Sequence, residues 1–446
     1  MVKNMKQTFH LPAETTLKPK ARVAYVNARL IDPATKLDQK GTLITEGEKI
    51  ADFGAAVKAP EDAEIVDCIG HILCPGLIDI QVHFREPGQE HKETLHTGSK
   101  SAVAGGVTLV VCQPNTKPVL DSVQVLEFLK ARARETAFCH IRAYASISKG
   151  MKGEELSEMA QLKDTGIVVG FTDDGLPVMN SLLMRRAMEY AASLGLPIAQ
   201  HAEDLLLSNK GCINEGKVST KLGVPGIPNI SESVCVARDI EILGLTGGHY
   251  HVLHVSTKEA VALIRDARKR GLNVTGEASP HHFTLTDEAV LAHGTNAKMN
   301  PPLRAEADRR AVIEGLQDGT LSAIATDHAP HDEESKNQPL AAATFGIVGM
   351  ESMLPLSLAL VQQKKLSLND MLAKMTYQAA DIIGEKTGRL KKGARADLTL
   401  IDPDLNWTLK NANLQSKSKN SPFEDYKVKG RAVRTVVAGK TVYTLA

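Results

Sequence analysis

What this chain lacks narrows the field before any motif is read. Net charge is almost absent: 53 Lys+Arg against 52 Asp+Glu leave +1 at pH 7. No general attraction to nucleic acid or to an anionic membrane follows, and any positive pocket must be local. Long apolar runs are missing too, so no segment is expected to span a bilayer, and Met1 to Arg22 has lysines without the apolar centre of a secretory leader. The six cysteines (Cys68, Cys74, Cys112, Cys139, Cys212, Cys235) contain no C-x-x-C pair. That spacing excludes a cysteine-based zinc framework and reads as packing by reduced thiols, the pattern of a cytoplasmic protein. With 446 residues, 43% hydrophobic and 24% charged, the chain can bury one large core and a smaller satellite.

Its organisation follows from periodicity. Residues 1–22 lack a pattern and are expected to form a loose tail or an edge extension. Short β-type runs at Val23 to Val26, Leu43 to Thr45 and Glu64 to Asp67, broken by turn signals, suggest a small all-β unit over 23–72. Matching runs at Ala394 to Asp402 and Ala432 to Tyr443, the latter a hairpin about Ala438-Gly439, place its other part at 388–446. The simplest topology is one β-sandwich built from both chain ends, with 73–387 inserted as a separate domain.

That insertion alternates strand and helix. Apolar strands are expected near Leu77 to His83, Val107 to Cys112, His140 to Ser146, Ile167 to Thr172, Pro197 to His201, His249 to His254, Asn273 to Ala278 and Ser322 to Asp327. Helical patterns such as Asp121 to Ala133, Ser181 to Ser193, Thr257 to Arg270 and Arg309 to Gln317 separate them. The fold class is α/β, a (β/α)8 TIM-type barrel. In such a barrel all strand C-termini face one mouth. The residues found there are Gln81 and His83, then Asp173-Asp174-Gly175, His201, His254, and Asp327-His328. Imidazole and carboxylate together suit Zn²⁺ or a similar divalent ion, and a metal-activated hydroxide is the expected nucleophile. Any one of the 15 histidines is more often a satisfied core or surface residue, and Asp173-Asp174-Gly175 alone passes for a turn. The set is what packing does not demand. His249, His251, His281 and His282 receive no role.

The segments PGLIDIQVHFREPG (75–88), CQPNTKPV (112–119), FTDDG (171–175), AQHAED (199–204), GIPNISES (226–233), HVLHVSTK (251–258), KMNPPLR (298–304), ATDHAPH (325–331) and FGIVGME (345–351) carry a specific resemblance. From about Val23 onward the chain resembles the dihydroorotases of the bacterial type I group, in the amidohydrolase superfamily. The resemblance implies one or two zinc ions held by His83, Asp174 as bridge, His201, His254 and Asp327, with Gln81 standing where the family has His. A Gln carbonyl is a harder and weaker donor than imidazole nitrogen, so one metal position is expected to be weakened.

The implied reaction interconverts N-carbamoyl-L-aspartate and L-dihydroorotate in pyrimidine synthesis. Asp327 would serve as general base and then acid. Arg85 offers a bidentate fork to the substrate carboxylate, Asn115 adds an amide contact, and by resemblance His331 completes the anchor and Asn300 lines the pocket. A homodimer is the family-level expectation. Two rivals stand beside this reading. One is another cyclic amidase, a hydantoinase or allantoinase, whose relatives commonly carry a carboxylated Lys where this chain has Phe171-Thr172-Asp173-Asp174-Gly175. The other is a non-catalytic partner of aspartate transcarbamoylase, to which Gln81 alone points.

Overall fold

A computed structural model of the chain describes residues 5–11 and 22–446. Strands β1 (Gln7–Phe9), β2 (Arg22–Asp32), β3 (Leu37–Glu46), β4 (Lys49–Gly54), β5 (Glu64–Asp67) and β6 (Ile72–Pro75) come first. The barrel strands are β7 (Leu77–Val82), β8 (Val107–Cys112), β9 (His140–Ala145), β10 (Val168–Phe171) and β11 (Ile198–Gln200). After a two-stranded excursion, β12 (Ile213–Asn214) and β13 (Gly226–Ile227), the barrel resumes with β14 (Tyr250–Val252), β15 (Val274–Ala278) and β16 (Ala323–Ile324). The chain ends in β17 (Leu398–Thr408), β18 (Lys427–Val437) and β19 (Lys440–Leu445).

The eight barrel strands pair in sequence order, β7-β8-β9-β10-β11-β14-β15-β16, and every pair is parallel. The two edges meet at the mouth. Val82 forms a parallel bridge with His328, and His83 N–H donates to His328 O at 2.8 Å. Ile78, Ile80, Leu109, Val111, Tyr144, Val169, Ala199 and Leu253 share one buried cluster, and burying an aliphatic side chain this fully contributes about 1.5–3 kcal/mol. Between the strands run helices whose ends are set by local chemistry. Asn180 caps Ser181–Leu194 by accepting from two backbone N–H groups, and Gly195 closes that helix at φ 67°.

Both chain ends build one unit, as expected, and its strands follow a single hydrogen-bonded path, β1-β19-β18-β17-β6-β2-β3-β4, with β5 added to β2. The path folds over its own core of Tyr25, Leu30, Leu43, Ile50, Leu398 and Val436, and Ile50 N–H donates to Ala394 O as the edge returns. Of the expected tail, the described part is the edge extension: Gln7–Phe9 pairs antiparallel with β19, while residues 1–4 and 12–21 lie outside the described residues. Ala438 and Gly439 make the hairpin turn between β18 and β19 with φ 47° and 75°, the left-handed pair that matches strand twist. Gly76 joins the two units. A Cβ there would lie 2.1 Å from Thr108 Oγ1, so only glycine lets β6 run directly into β7.

Candidate metal centre

Strand β7 carries Gln81 and leads straight into His83, and both are buried at the mouth. His83 Nε2 lies 3.1 Å from Asp327 Oδ1 and 3.3 Å from Asp174 Oδ2. Its other nitrogen, Nδ1, is 2.9 Å from Asn115 Oδ1. The Gln81 amide nitrogen donates to Asp174 Oδ2 at 3.3 Å, and its Oε1 is buried without a partner. Across the mouth, His201 follows β11 and His254 follows β14. His201 Nδ1 stands 3.0 Å from His254 Nε2, and each is 3.3 Å from Asp174 Oδ1. Two groups result, Asp174/His201/His254 and His83/Asp174/Asp327, each with donor atoms within 4.8 Å of one another.

These distances fit a divalent ion. Donors at about 2.0–2.1 Å around a tetrahedral zinc stand roughly 3.3 Å apart, close to the separations in the first group. His201 Nδ1 and His254 Nε2 approach one another while both face a carboxylate oxygen, and one cation satisfies all three atoms. His254 Nδ1 has no partner on its far side, so its ring is aimed only into the cluster. The charges point the same way. Burial alone would raise Asp174, but the contacts of His201 and His254 and the charge of His83 hold its carboxyl well below the usual range. Burial opposes a proton on His201, yet Asp174 and Glu203 outweigh it and push the imidazole up to about 10.

Every residue that the sequence marked reaches this mouth, though not always in the role expected. Arg85 is buried with φ 63°, and its Nε donates to Pro330 O at 3.2 Å while Nη2 lies 3.2 Å from His331 Nε2. Burial lowers its guanidinium to about 10, more than the charges of Asp327, Asp174 and Glu93 raise it. Burial and the Arg85 charge depress His331 far below the ordinary histidine range, so the neutral ring accepts from Arg85 and leaves Nδ1 without a partner. Asn115 meets His83, and Asn300 Nδ2 donates to Glu203 Oε2 at 2.9 Å. His254 and Asp327, like Arg85, take left-handed backbone, φ 33° and 50°, a strain of the kind concentrated at functional sites.

Some participants escaped the sequence reading. Glu203 accepts from His201 Nε2–H at 3.0 Å; burial would raise it, but the His201 contact and charge bring it down to about 2. The signal was present in AQHAED, two residues past His201. Asp79 Oδ2 accepts from Thr326 Oγ1 at 2.5 Å and Oδ1 from Thr326 N–H at 3.1 Å, which pins β7 to the last strand beneath Gln81 and Asp327. Burial raises this carboxyl to about 7. His251 and His249, given no role, hydrogen-bond to Thr275 and stay outside the cluster. The cysteines are all buried and free, as packing residues should be.

A parallel barrel with imidazoles and carboxylates gathered at its mouth defines a metal-dependent hydrolase of the amidohydrolase type. The Dihydro-orotase-like family matches residues 70–260 and the Amidohydrolase family residues 295–443. A dihydroorotase of Wolbachia sp. subsp. Drosophila simulans (strain wRi) is 57% identical over 442 residues, covering 99% of both chains. One from Pelobacter propionicus is 47% identical, covering 94% of this chain and 98% of that one. This chain belongs to the dihydroorotase family. In fold it is similar to the L-hydantoinase of Arthrobacter aurescens, with TM-score 0.85, 24% identity, and 94% and 95% of the chains covered. The dihydropyrimidinase of Brevibacillus agri NCHU1002 is similar in the same sense, with TM-score 0.84, 22% identity and the same coverage.

Proposed function

We propose that this chain is a dihydroorotase, interconverting N-carbamoyl-L-aspartate and L-dihydroorotate in the cytoplasm as a homodimer. The observation that carries the reading is the juxtaposition of the two donor groups sharing Asp174 with a buried cation, Arg85, whose hydrogen bonds go to Pro330 O and His331 Nε2. His83, Asp174, His201, His254 and Asp327, with Gln81 at the edge, would hold one or two zinc ions. Bound there, zinc supplies Lewis-acid polarisation of the ring carbonyl and lowers the pKa of a water molecule.

The chain's own residues do the rest. Asp327 Oδ1 faces His83, leaving Oδ2 to take the proton of the attacking water and return it to the ring nitrogen as the amide bond breaks. Arg85 holds the substrate carboxylate by charge-assisted hydrogen bonds, and His331 Nδ1–H donates beside it. Asn115 and Asn300 flank the pocket. The ring is thereby fixed with its carbonyl toward the cluster, which is the orientation that makes attack effectively intramolecular.

The non-catalytic reading rests on Gln81 alone, while the remaining donors are assembled. Zinc content measured together with turnover of dihydroorotate, hydantoin and allantoin tests the proposal. Bound zinc with turnover confined to dihydroorotate is expected. Preference for hydantoin or allantoin would make the chain another cyclic amidase, and absence of both metal and turnover would make it a structural partner.

A further inference from the structure

Strands β17 and β18 pair antiparallel, yet residues 409–426 separate them, far more chain than the about 2–5 residues that join a hairpin. Long connections in a compact fold tend to carry a function. This one leaves the chain-end unit and lies against the barrel loops. Ser418 Oγ donates to Lys92 O at 2.6 Å, and Lys417 N–H donates to Glu93 Oε2 at 3.2 Å. Asn420 is buried among them, 5% exposed. Its Nδ2 donates to Ala329 O at 3.1 Å and to Gly346 O at 3.0 Å, while its Oδ1 accepts from His331 N–H at 3.1 Å. Two carbonyls at one end and an N–H at the other fix which way the amide points. Its own backbone carbonyl accepts from Val348 N–H at 2.9 Å.

We infer that Asn420 is a positioning residue for the substrate carboxylate, supplied to the barrel by the chain-end unit. Every group its side chain binds belongs to the two segments that shape the anchor. Ala329 and His331 flank Pro330, whose carbonyl accepts from Arg85 Nε at 3.2 Å, and the His331 ring meets Arg85 Nη2 at 3.2 Å. Gly346 O also accepts from Lys336 Nζ at 3.0 Å, and a Cβ on Gly346 would lie 3.1 Å from His331 Cδ2. The amide thus ties the backbone that carries His331 to the backbone beside its ring. None of its hydrogen bonds reaches either donor group at the mouth. A shift of about 1 Å in the anchor would misplace the carboxylate at a cost on the order of 10²-fold. The inference rests on the proposed reading of Arg85 and His331 as that anchor.

The test is steady-state kinetics of the zinc-loaded full chain on dihydroorotate, with dihydrouracil, the same ring without its carboxylate, as competitive inhibitor. Asn420→Ala should raise KM about 10–100-fold and leave kcat within about 3-fold, the signature of lost substrate binding. Zinc content and the dihydrouracil inhibition constant should stay within about 2-fold, because neither depends on the anchor. Asn420→Gln keeps both amide N–H groups and the oxygen, and should recover part of the loss. Where the alanine variant fails to fold, Asn420→Ser, too short for both carbonyls, takes its place with the same expectation. An unchanged KM in the folded variant would overturn the inference. Equal losses for dihydroorotate and dihydrouracil, the mark of a general staple, would also overturn it, as would a fall in kcat accompanied by lost zinc. Wild-type protein that binds zinc without turning over dihydroorotate would overturn the proposed function and this inference with it. An active wild type beside an indifferent Asn420→Ala would overturn this inference alone.

Discussion

The two halves of the cluster share Asp174 and differ in nearly everything else. On one side, His201 and His254 follow neighbouring parallel strands, and His201 is backed by Glu203, which Asn300 holds in turn. On the other side His83 is backed by an amide, and its neighbour on the strand is Gln81, whose nitrogen takes up Asp174 Oδ2. A neutral amide oxygen is a weaker donor than imidazole, so binding strength concentrates on the His201 side. Asp327, proposed above as the proton acceptor, lies on the His83 side. On the proposed reading, one half would hold an ion, and the other keeps fewer strong donors around the residue that would exchange protons.

The largest effect should come from the residue both halves share. Asp174→Ala is expected to empty both donor groups and to lower kcat/KM by at least about 10³-fold, the scale of several kcal/mol of lost charge stabilisation. Asp327→Ala should lower turnover comparably while leaving one ion on the His201 side. Metal analysis of the two variants checks the contrast, and an Asp327→Ala protein stripped of metal would break it.

Gln81→His addresses the weaker half directly. With an imidazole in place of the amide, affinity of the second position should rise about 10-fold or more, with a gain in turnover, while the first position stays within about 2-fold. Titration with zinc, followed by calorimetry, would resolve two unequal classes of site in the wild type and more nearly equal ones in the variant. Identical titrations would mean that Gln81 is not what separates the halves.

How much of this could be read from the chain depends on the range of the interaction. Strand ends were legible because short, mostly apolar runs stop at His83, His201 and Asp327, and in a parallel barrel every such end faces one mouth. Gln81 was visible as a departure only against the family resemblance, which implies His at that position. Glu203 was within reach, two residues beyond a metal-site histidine, but His-x-Glu has no meaning until the ring nitrogen that faces it is known. Asn115 meets His83 across 32 residues and Asp79 meets Thr326 across 247, and no local pattern reports which nitrogen or oxygen they meet. The chain-end unit was legible as β structure. Its single hydrogen-bonded path was not, because β6 is only Ile72–Pro75 and takes its order from β17 and β2, both distant in sequence.

The smallest expected effect asks whether pH acts on the cluster or on the scaffold around it. Glu351 ends the FGIVGME segment, away from both donor groups, with Oε1 accepting from Ser101 Oγ at 3.1 Å and Gln415 N–H at 2.5 Å. Burial raises its carboxyl from 4.5 to about 7, more than those hydrogen bonds and the charges of Arg431 and Lys419 lower it. A carboxyl whose folded pKa lies above its unfolded value contributes stability that is fully present below 4.5 and is lost as pH rises through about 7. Melting temperature should therefore fall between pH 5 and 8 by a few degrees, on the order of 2–4 °C, with the same slope in zinc-loaded and chelator-treated protein. Glu351→Gln keeps the acceptor oxygen and removes the charge, so its slope should flatten. A slope that survives Glu351→Gln and changes with zinc would move the pH sensitivity into the cluster, and the contrast between its halves would then have to include the protons they carry.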